Sequence, residues 1–177
     1  MKINKTKLHI TIYVVAIIFL GFSFSRIFLK PAEKISSSSA PLFASIINDP
    51  DGKPQNLKQF QHKTIVLNFW ATWCKPCLQE LDAFNDLTET WKKETPARII
   101  AISIDDSRTA SGIKKTAGLH DWSFEVFWDE NQDLKRALNI SLIPHTIVIV
   151  RNGVIVKLYT AYVPGNEEKI LSLLKTL

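Results

Sequence analysis

The chain has 177 residues, two cysteines and a net charge of +5 at pH 7, and 46% of its residues are hydrophobic. Six of its 22 lysines and arginines, but only one of its 17 acidic residues, lie within residues 1–35. Residues 36–177 are therefore neutral overall. This balance excludes the basic surface typical of nucleic-acid-binding domains, so we predict no nucleic-acid partner.

Residues 1–30 have the pattern of an export signal or a single membrane anchor. Lys2, Lys5 and Lys7 precede an uncharged run at 8–25. A run of about 18 residues is long enough to span a bilayer, so we predict an uncleaved transmembrane anchor. A weak small-residue cleavage signal at the end of the run leaves release into the periplasm as the alternative. The lysines predict a cytoplasmic N-terminus and an extracytoplasmic remainder, hence a cell-membrane localisation.

A linker and one folded domain follow the predicted anchor. Residues 31–41 include four consecutive serines, which predict a flexible linker. Residues 42–177 are enough for one domain with its own core. At its start, the Asp51-Gly52 turn predicts a small hairpin, and a short helix is expected at 57–60.

The two cysteines follow a predicted strand and begin a predicted helix. Residues 64–70 form an apolar run typical of a fully buried strand. After Cys74 and Cys77, apolar residues recur at helical spacing until about Glu94. This helical face consists of Leu78, Leu81, Phe84, Leu87 and Trp91.

A cysteine pair at the start of a helix is suited to reversible disulfide chemistry. The free N–H groups and the dipole of a helix N-terminus favour a thiolate, and Lys75 adds positive charge beside Cys74. We predict Cys74 as the nucleophile and Cys77 as the resolving thiol, with Pro76 stiffening the turn between them. An inert staple is disfavoured because so short a loop constrains little chain entropy. A structural metal site would need further ligands.

Strands and helices alternate through the rest of the domain, which predicts parallel strand pairing. Capping oxygens at Asp105, Asp106 and Ser107 predict a helix directly after the strand that they follow. Residues 151–153, Arg-Asn-Gly, predict a hairpin turn. In chain order, the predicted elements are a strand at 98–104, a helix ending near 117, a strand at 124–128, a helix at 133–138, strands at 146–150 and 154–158, and a closing helix at 167–174.

Residues 69–77, FWATWCKPC, resemble the active-site segment of the TlpA/ResA-like thiol:disulfide oxidoreductases, which are membrane-tethered proteins of the thioredoxin fold. The likeness covers about residues 42–177. It implies a thioredoxin-like α/β fold with a central mixed sheet flanked by helices and an N-terminal hairpin. The segment between Cys77 and Pro144 is longer than a minimal thioredoxin needs, which implies an inserted helix-and-strand unit.

The resemblance also implies roles for residues around the cysteines. A cis Ile143–Pro144 bond would place both residues against the disulfide, where the Ile143 backbone can bind substrate peptide; an ordinary trans proline is the alternative. Trp73, an apolar platform beside the nucleophile, and Lys75 are further implied substrate-binding residues. Trp73 could instead be a core residue.

Glu80 is the implied proton-transfer group of the site. Asn68 stands where thioredoxins proper carry a buried aspartate, so the chain lacks that acceptor. Glu80 lies three residues after Cys77 on the same helix face, where a half-buried carboxylate could exchange a proton with a cysteine. A solvated helix glutamate remains the alternative.

The function implied is an extracytoplasmic enzyme that exchanges thiols and disulfides through Cys74 and Cys77 without a bound cofactor. The resemblance implies a reductant of protein disulfides, for example in apocytochromes c, recharged by a thiol-reducing integral membrane protein. We expect a monomer. The rival interpretation is a copper carrier resembling Sco proteins, with Cys74, Cys77 and His145 as ligands. Those carriers usually space their cysteines by three residues, which disfavours this alternative.

Overall fold

One mixed sheet forms the centre of the domain. The structure, a computed structural model, describes residues 39–177; the predicted anchor and most of the predicted linker lie outside these residues. The strands are β1 (Ile46–Asn48), β2 (Pro54–Asn56), β3 (Ile65–Trp70), β4 (Arg98–Ser103), β5 (Glu125–Trp128), β6 (His145–Ile149) and β7 (Ile155–Thr160). Their order in the sheet is β2-β1-β5-β4-β3-β6-β7.

Helices connect and flank these strands. They are α1 (Ala40–Ala44), a 3-10 helix (Leu57–Phe60), α2 (Lys75–Glu94), α3 (Ser111–Leu119), α4 (Asp133–Ala137) and α5 (Asn166–Leu174). Helix α2 buries Leu81, Phe84 and Trp91 completely and Leu78 and Leu87 partly, so its predicted apolar face is confirmed. Within residues 39–177, no helix is both long and apolar enough to cross a membrane.

Strand β3 is the central strand of the fold. All six of its residues are buried, as the continuous apolar run predicts. It pairs in parallel with β4 and antiparallel with β6, and β4 pairs in parallel with β5. The predicted mixed sheet and N-terminal hairpin are thus both present. Strand β5 and helix α4, between α3 and β6, correspond to the predicted inserted unit.

Apart from shifts of one or two residues at the ends of elements, two features differ from the sequence predictions. Ala40 and Pro41, predicted as the end of the linker, lie in helix α1, which packs the buried Leu42 into the core. Helix α3 begins at Ser111 and not directly after β4. The predicted cap at 105–107 is wrong because Asp106 instead closes the turn before α3, accepting a hydrogen bond from Arg108 N.

Asp105 is fully buried and holds the loop that leads from β3 to the cysteines. Its Oδ2 accepts hydrogen bonds from Thr72 N at 2.9 Å and from Ser103 Oγ at 2.6 Å, and its Oδ1 accepts from Thr72 Oγ1 at 2.6 Å. The Trp128 indole in β5 donates to the Asp105 carbonyl at 2.8 Å. The inserted unit therefore contributes to the placement of the loop before Cys74.

We predict that Asp105→Ala lowers the free energy of unfolding by about 3 kcal/mol, because it leaves the donors of the half-buried Thr72 and the buried Ser103 without an acceptor. Urea denaturation of the full chain, followed by tryptophan fluorescence, measures the change. Asp86→Ala, on the exposed side of α2, is the control and should keep the wild-type midpoint. Equal midpoints for the two variants would contradict the assigned role of Asp105.

Candidate active site

The two cysteines lie at the N-terminus of α2 and are joined as a disulfide. Cys74 is the N-cap residue, and its carbonyl accepts hydrogen bonds from Cys77 N and Leu78 N. Pro76 occupies the first turn, where its missing N–H breaks no hydrogen bond, and this turn contains no acidic residue. When the disulfide is opened, the helix dipole and the exposed Lys75 both favour a thiolate here.

The two sulfur-bearing residues differ in exposure. Cys74 is 6% exposed, whereas Cys77 is 0% exposed. An incoming sulfur atom can therefore approach Cys74 but not Cys77. This asymmetry agrees with the predicted roles of a nucleophile and an internal resolving thiol.

A cis peptide bond joins Ile143 and Pro144, as the resemblance implies. Strand β6 begins at the next residue, His145, which lies opposite Phe69 of β3. This register brings Pro144 to the end of the sheet from which the chain continues to Cys74. The Pro144 carbonyl accepts a hydrogen bond from Ala161 N at 3.0 Å, so the loop after β7 reaches the same end.

Large apolar side chains are exposed in the loops at this end of the sheet. Trp73 is 63% exposed, which excludes its alternative role as a core residue. Leu142, in the loop before the cis proline, and Val163, in the loop after β7, are also exposed. The sequence patterns did not indicate Leu142 and Val163, although an apolar residue directly before the Ile-Pro pair was a usable signal.

Glu80 belongs to a buried polar triad and lies one helical turn after Cys77. Its Oε2 accepts a hydrogen bond from Asn68 Nδ2 at 2.6 Å and another from Thr146 Oγ1 at 3.1 Å. Asn68 Nδ2 also donates to Thr146 Oγ1 at 2.8 Å. Glu80 is 1% exposed, so it lies deeper than the half-buried position that we predicted. The alternative of a solvated helix glutamate is wrong. Thr146 was missed because only the β3–β6 register places it beside Asn68.

Burial gives Glu80 a pKa close to neutral pH. Desolvation raises the pKa of Glu80 to about 7, and the negative charge of Glu167 acts in the same direction. The hydrogen bonds from Thr146 and Asn68 act against this increase by stabilising the carboxylate. A carboxyl group with this pKa can take up or release a proton near neutral pH, which suits general acid–base chemistry.

His145 does not join the cysteines in a metal site. Within residues 39–177, no group of three or more His, Cys, Asp or Glu side chains could hold a metal ion. Because side chains alternate along a strand, His145 leaves β6 on the face opposite to Thr146 and its partner Glu80. Burial lowers the pKa of the His145 imidazole, whose Nδ1 lies 3.3 Å from Thr160 Oγ1. With Cys74 and Cys77 joined as a disulfide, residues 39–177 hold no assembled ligand set of the kind that the copper-carrier alternative needs.

Comparisons with solved structures identify relatives of the same fold. A thioredoxin-like protein from Porphyromonas gingivalis is 37% identical and superposes with a TM-score of 0.67, covering 78% of this chain and 92% of that protein. Peroxiredoxin Q from Xanthomonas campestris superposes with a TM-score of 0.69 over 82% of this chain and 98% of its own. At 18% identity, this second likeness shows the fold alone.

Sequence comparisons identify the family. The Redoxin family model matches residues 35–174. The thiol-disulfide oxidoreductase ResA of Bacillus cereus (strain ZK / E33L) is 30% identical over 158 residues, which cover 89% of this chain and 88% of that protein. The ResA protein of Bacillus subtilis (strain 168) is 30% identical over 151 residues, or 84% of this chain and 81% of its own. The chain therefore belongs to the Redoxin family and is a ResA-like thiol-disulfide oxidoreductase with a thioredoxin-like fold.

Proposed function

We propose that this protein is an extracytoplasmic reductase of protein disulfides that cycles Cys74 and Cys77 between the dithiol and the disulfide. The observation that carries this proposal is the unequal exposure of two bonded cysteines at a helix N-terminus, with only Cys74 accessible. The chain contains no other cysteine. The adjacent cis proline and the buried Glu80 support the same assignment.

The reaction begins from the dithiol form. The Cys74 thiolate attacks one sulfur of a substrate disulfide, forming a mixed disulfide and releasing the first substrate sulfur as a thiolate. The Cys77 thiolate then attacks Cys74 Sγ, which closes the internal disulfide and releases the second substrate thiolate. Two electrons pass from the protein to the substrate. The released thiolates take up the two protons that the cysteines lose, and no bound cofactor is needed.

Glu80 serves as the proton acceptor for the buried cysteine. Cys77 must lose its proton before it can attack, and its full burial keeps bulk water from accepting that proton. Glu80 lies one helical turn away and has a pKa of about 7, so both of its protonation states are populated near neutral pH. After the internal disulfide has formed, Glu80 releases this proton, which balances the proton that the departing substrate thiolate takes up.

Substrate peptides bind across the apolar residues around the disulfide. Trp73 supplies a flat exposed surface directly before Cys74, and Lys75 lies on the other side of this cysteine. Pro144 directly precedes β6, and the Ile143 backbone before it is available to pair with an extended peptide. Together these residues would hold a substrate disulfide in line with Cys74 Sγ.

The N-terminal pattern supports the proposed location. Residues 1–30 would anchor the protein as a single span with a cytoplasmic N-terminus, and the serine-rich segment would tether the domain on the extracytoplasmic side. In this arrangement an integral membrane thiol-reducing protein would recharge the disulfide. Protein disulfides, such as those of apocytochromes c, would be the substrates of a monomeric enzyme.

The assigned cysteine roles predict asymmetric trapping. Cys77→Ala should accumulate mixed disulfides with substrate proteins, because no internal thiol remains to release them. Cys74→Ala should accumulate few, because the remaining cysteine is buried. Non-reducing electrophoresis and mass spectrometry measure the trapped adducts of each variant. The variant that lacks both cysteines gives the background. Equal trapping by the two single variants would refute the roles.

Glu80 lies one helical turn after Cys77, which predicts that it affects the pH dependence of cysteine alkylation. A negative carboxylate disfavours a neighbouring thiolate, so Glu80→Gln should lower the pH midpoint of cysteine alkylation in the reduced protein by about one unit. Glu89→Gln, on the exposed part of the same helix, is the matched control and should leave the curve in place. A wild-type curve for Glu80→Gln would show that Glu80 does not act on the thiols.

The exposed Trp73 surface predicts a selective loss of protein substrates. Trp73→Ala should reduce kcat/KM for a disulfide-containing protein by about tenfold, since losing an exposed aromatic contact costs about 1.4 kcal/mol. The rate with a small aromatic disulfide should change less than about twofold, because such a substrate makes little contact beyond the sulfur atoms. Leu119→Ala removes another exposed apolar side chain, from α3, and should affect neither rate. An equal loss with both substrates would contradict the docking role.

A further inference from the structure

Asn68 has an unusual hydrogen-bonding state for a buried amide. It lies in the middle of β3 and is fully buried. Its Nδ2 donates to both Glu80 Oε2 and Thr146 Oγ1, but its Oδ1 has no hydrogen-bond partner within the described residues. An unpartnered buried carbonyl oxygen destabilises a fold, so its retention beside a buried carboxyl group requires a reason.

We infer that Asn68 is a positioning residue that serves both protonation states of Glu80 by turning its side-chain amide through half a turn. This inference deepens the proposed function and rests on it for its biological meaning. In the present arrangement, Asn68 Nδ2 and Thr146 Oγ1 both donate to Glu80, which is the arrangement that a carboxylate needs. A protonated Glu80 instead needs an acceptor for its own hydroxyl.

The unpartnered Oδ1 of Asn68 can supply this acceptor, whereas Thr146 Oγ1 already accepts a hydrogen bond from Asn68 Nδ2. A half-turn about the Cβ–Cγ bond exchanges Nδ2 and Oδ1, because the two ends of the amide are nearly equal in size. Oδ1 would then face Glu80 and Thr146 and accept from either hydroxyl. The proton stays on Glu80 throughout, and the amide only changes which end it presents.

No other common side chain of this size meets both needs. Aspartate has the same shape but cannot donate to a carboxylate when it is ionised, and leucine can neither donate nor accept. In both cases the Glu80 carboxylate would lose its shortest hydrogen bond, which is 2.6 Å long. Both substitutions should therefore favour the protonated form of Glu80.

Other titratable groups around Glu80 provide a constant background for this effect. Glu167, from α5, repels a negative Glu80, and its carboxylate accepts hydrogen bonds from Gly165 N at 3.0 and 3.1 Å. Burial raises the pKa of Tyr162, in the loop after β7, and the negative charges of Glu167 and Glu80 raise it further. On α2 itself, Cys74 and Cys77 do not titrate while they form the disulfide.

The test measures the Glu80 titration directly in the oxidised full-length protein, with glutamate labelled at the side-chain carboxyl carbon for NMR. The wild-type midpoint should lie near 7. Asn68→Leu should raise it by about one unit, and Asn68→Asp should raise it as well, because two neighbouring carboxylates then share one proton. Thr146→Val, which retains the side-chain volume, should raise it by a smaller amount.

Asn85→Leu is the matched control for these variants. It makes the same chemical change on α2, away from Glu80. It also breaks two hydrogen bonds, because Asn85 Nδ2 donates to Asp121 O and Asn85 Oδ1 accepts from Ser123 N. Its Glu80 midpoint should equal that of the wild type. In the wild type, the Asn68 side-chain NH₂ resonances should shift with pH at the same midpoint as the Glu80 carboxyl carbon.

Three results would overturn the inference. The first is a Glu80 midpoint that stays at the wild-type value in the Asn68 variants and in Thr146→Val. Asn68→Asp and Thr146→Val keep the shape of the side chain, so this test remains available if Asn68→Leu does not fold. Another is a set of Asn68 NH₂ resonances that do not respond to the Glu80 titration. The third is a shift in the pH midpoint of cysteine alkylation that Asn68→Asp causes equally with and without Glu80→Gln, because such a shift would not act through Glu80. Substrate trapping by Cys77→Ala is independent of all three and fails only if the proposed function is wrong.

Discussion

The pairing of β3 with a strand on each side is the constraint on which the rest of this site depends. Because β3 is buried on both faces and bonded to β4 and β6, the point where the chain leaves the sheet cannot move without breaking two ladders. Cys74 follows that point after a short loop. The neighbouring strands bring Asp105 and Pro144 to the same end, so one central strand aligns the helix N-terminus, the loop and the cis proline.

Burial of polar groups gives this end of the sheet its chemistry. A carboxyl group in water is fully ionised at neutral pH, whereas Glu80 is nearly inaccessible and has a pKa of about 7. Burial without partners would raise the pKa further, and the donors from Asn68 and Thr146 counteract this. The depth of the carboxyl group and the number of its donors together keep both protonation states available.

The distribution of exposure separates contact with partners from internal chemistry. Trp73 and Leu142 are open to solvent, Cys74 is slightly exposed, and Cys77 and Glu80 are buried. A partner therefore meets an apolar surface and one sulfur atom, while the second sulfur atom and the proton acceptor stay inside the domain. This order suits a thiol-disulfide oxidoreductase, whose mixed disulfide must be resolved from within the protein.

Local sequence patterns were sufficient for most elements and for the centre of the reaction. The apolar run before the cysteines and the helical spacing after them predicted β3 and α2, because burial imposes these periodicities on neighbouring residues. The motif at 69–77 indicated the family, and with it the cis proline and Glu80. Only the tertiary structure assigned the partners of the buried groups, since these contacts join distant parts of the chain. Asn68 meets Thr146 across 78 positions, and Thr72 meets Asp105 across 33. Strand register and helix packing decide such pairs, and neither is encoded in the spacing of adjacent residues.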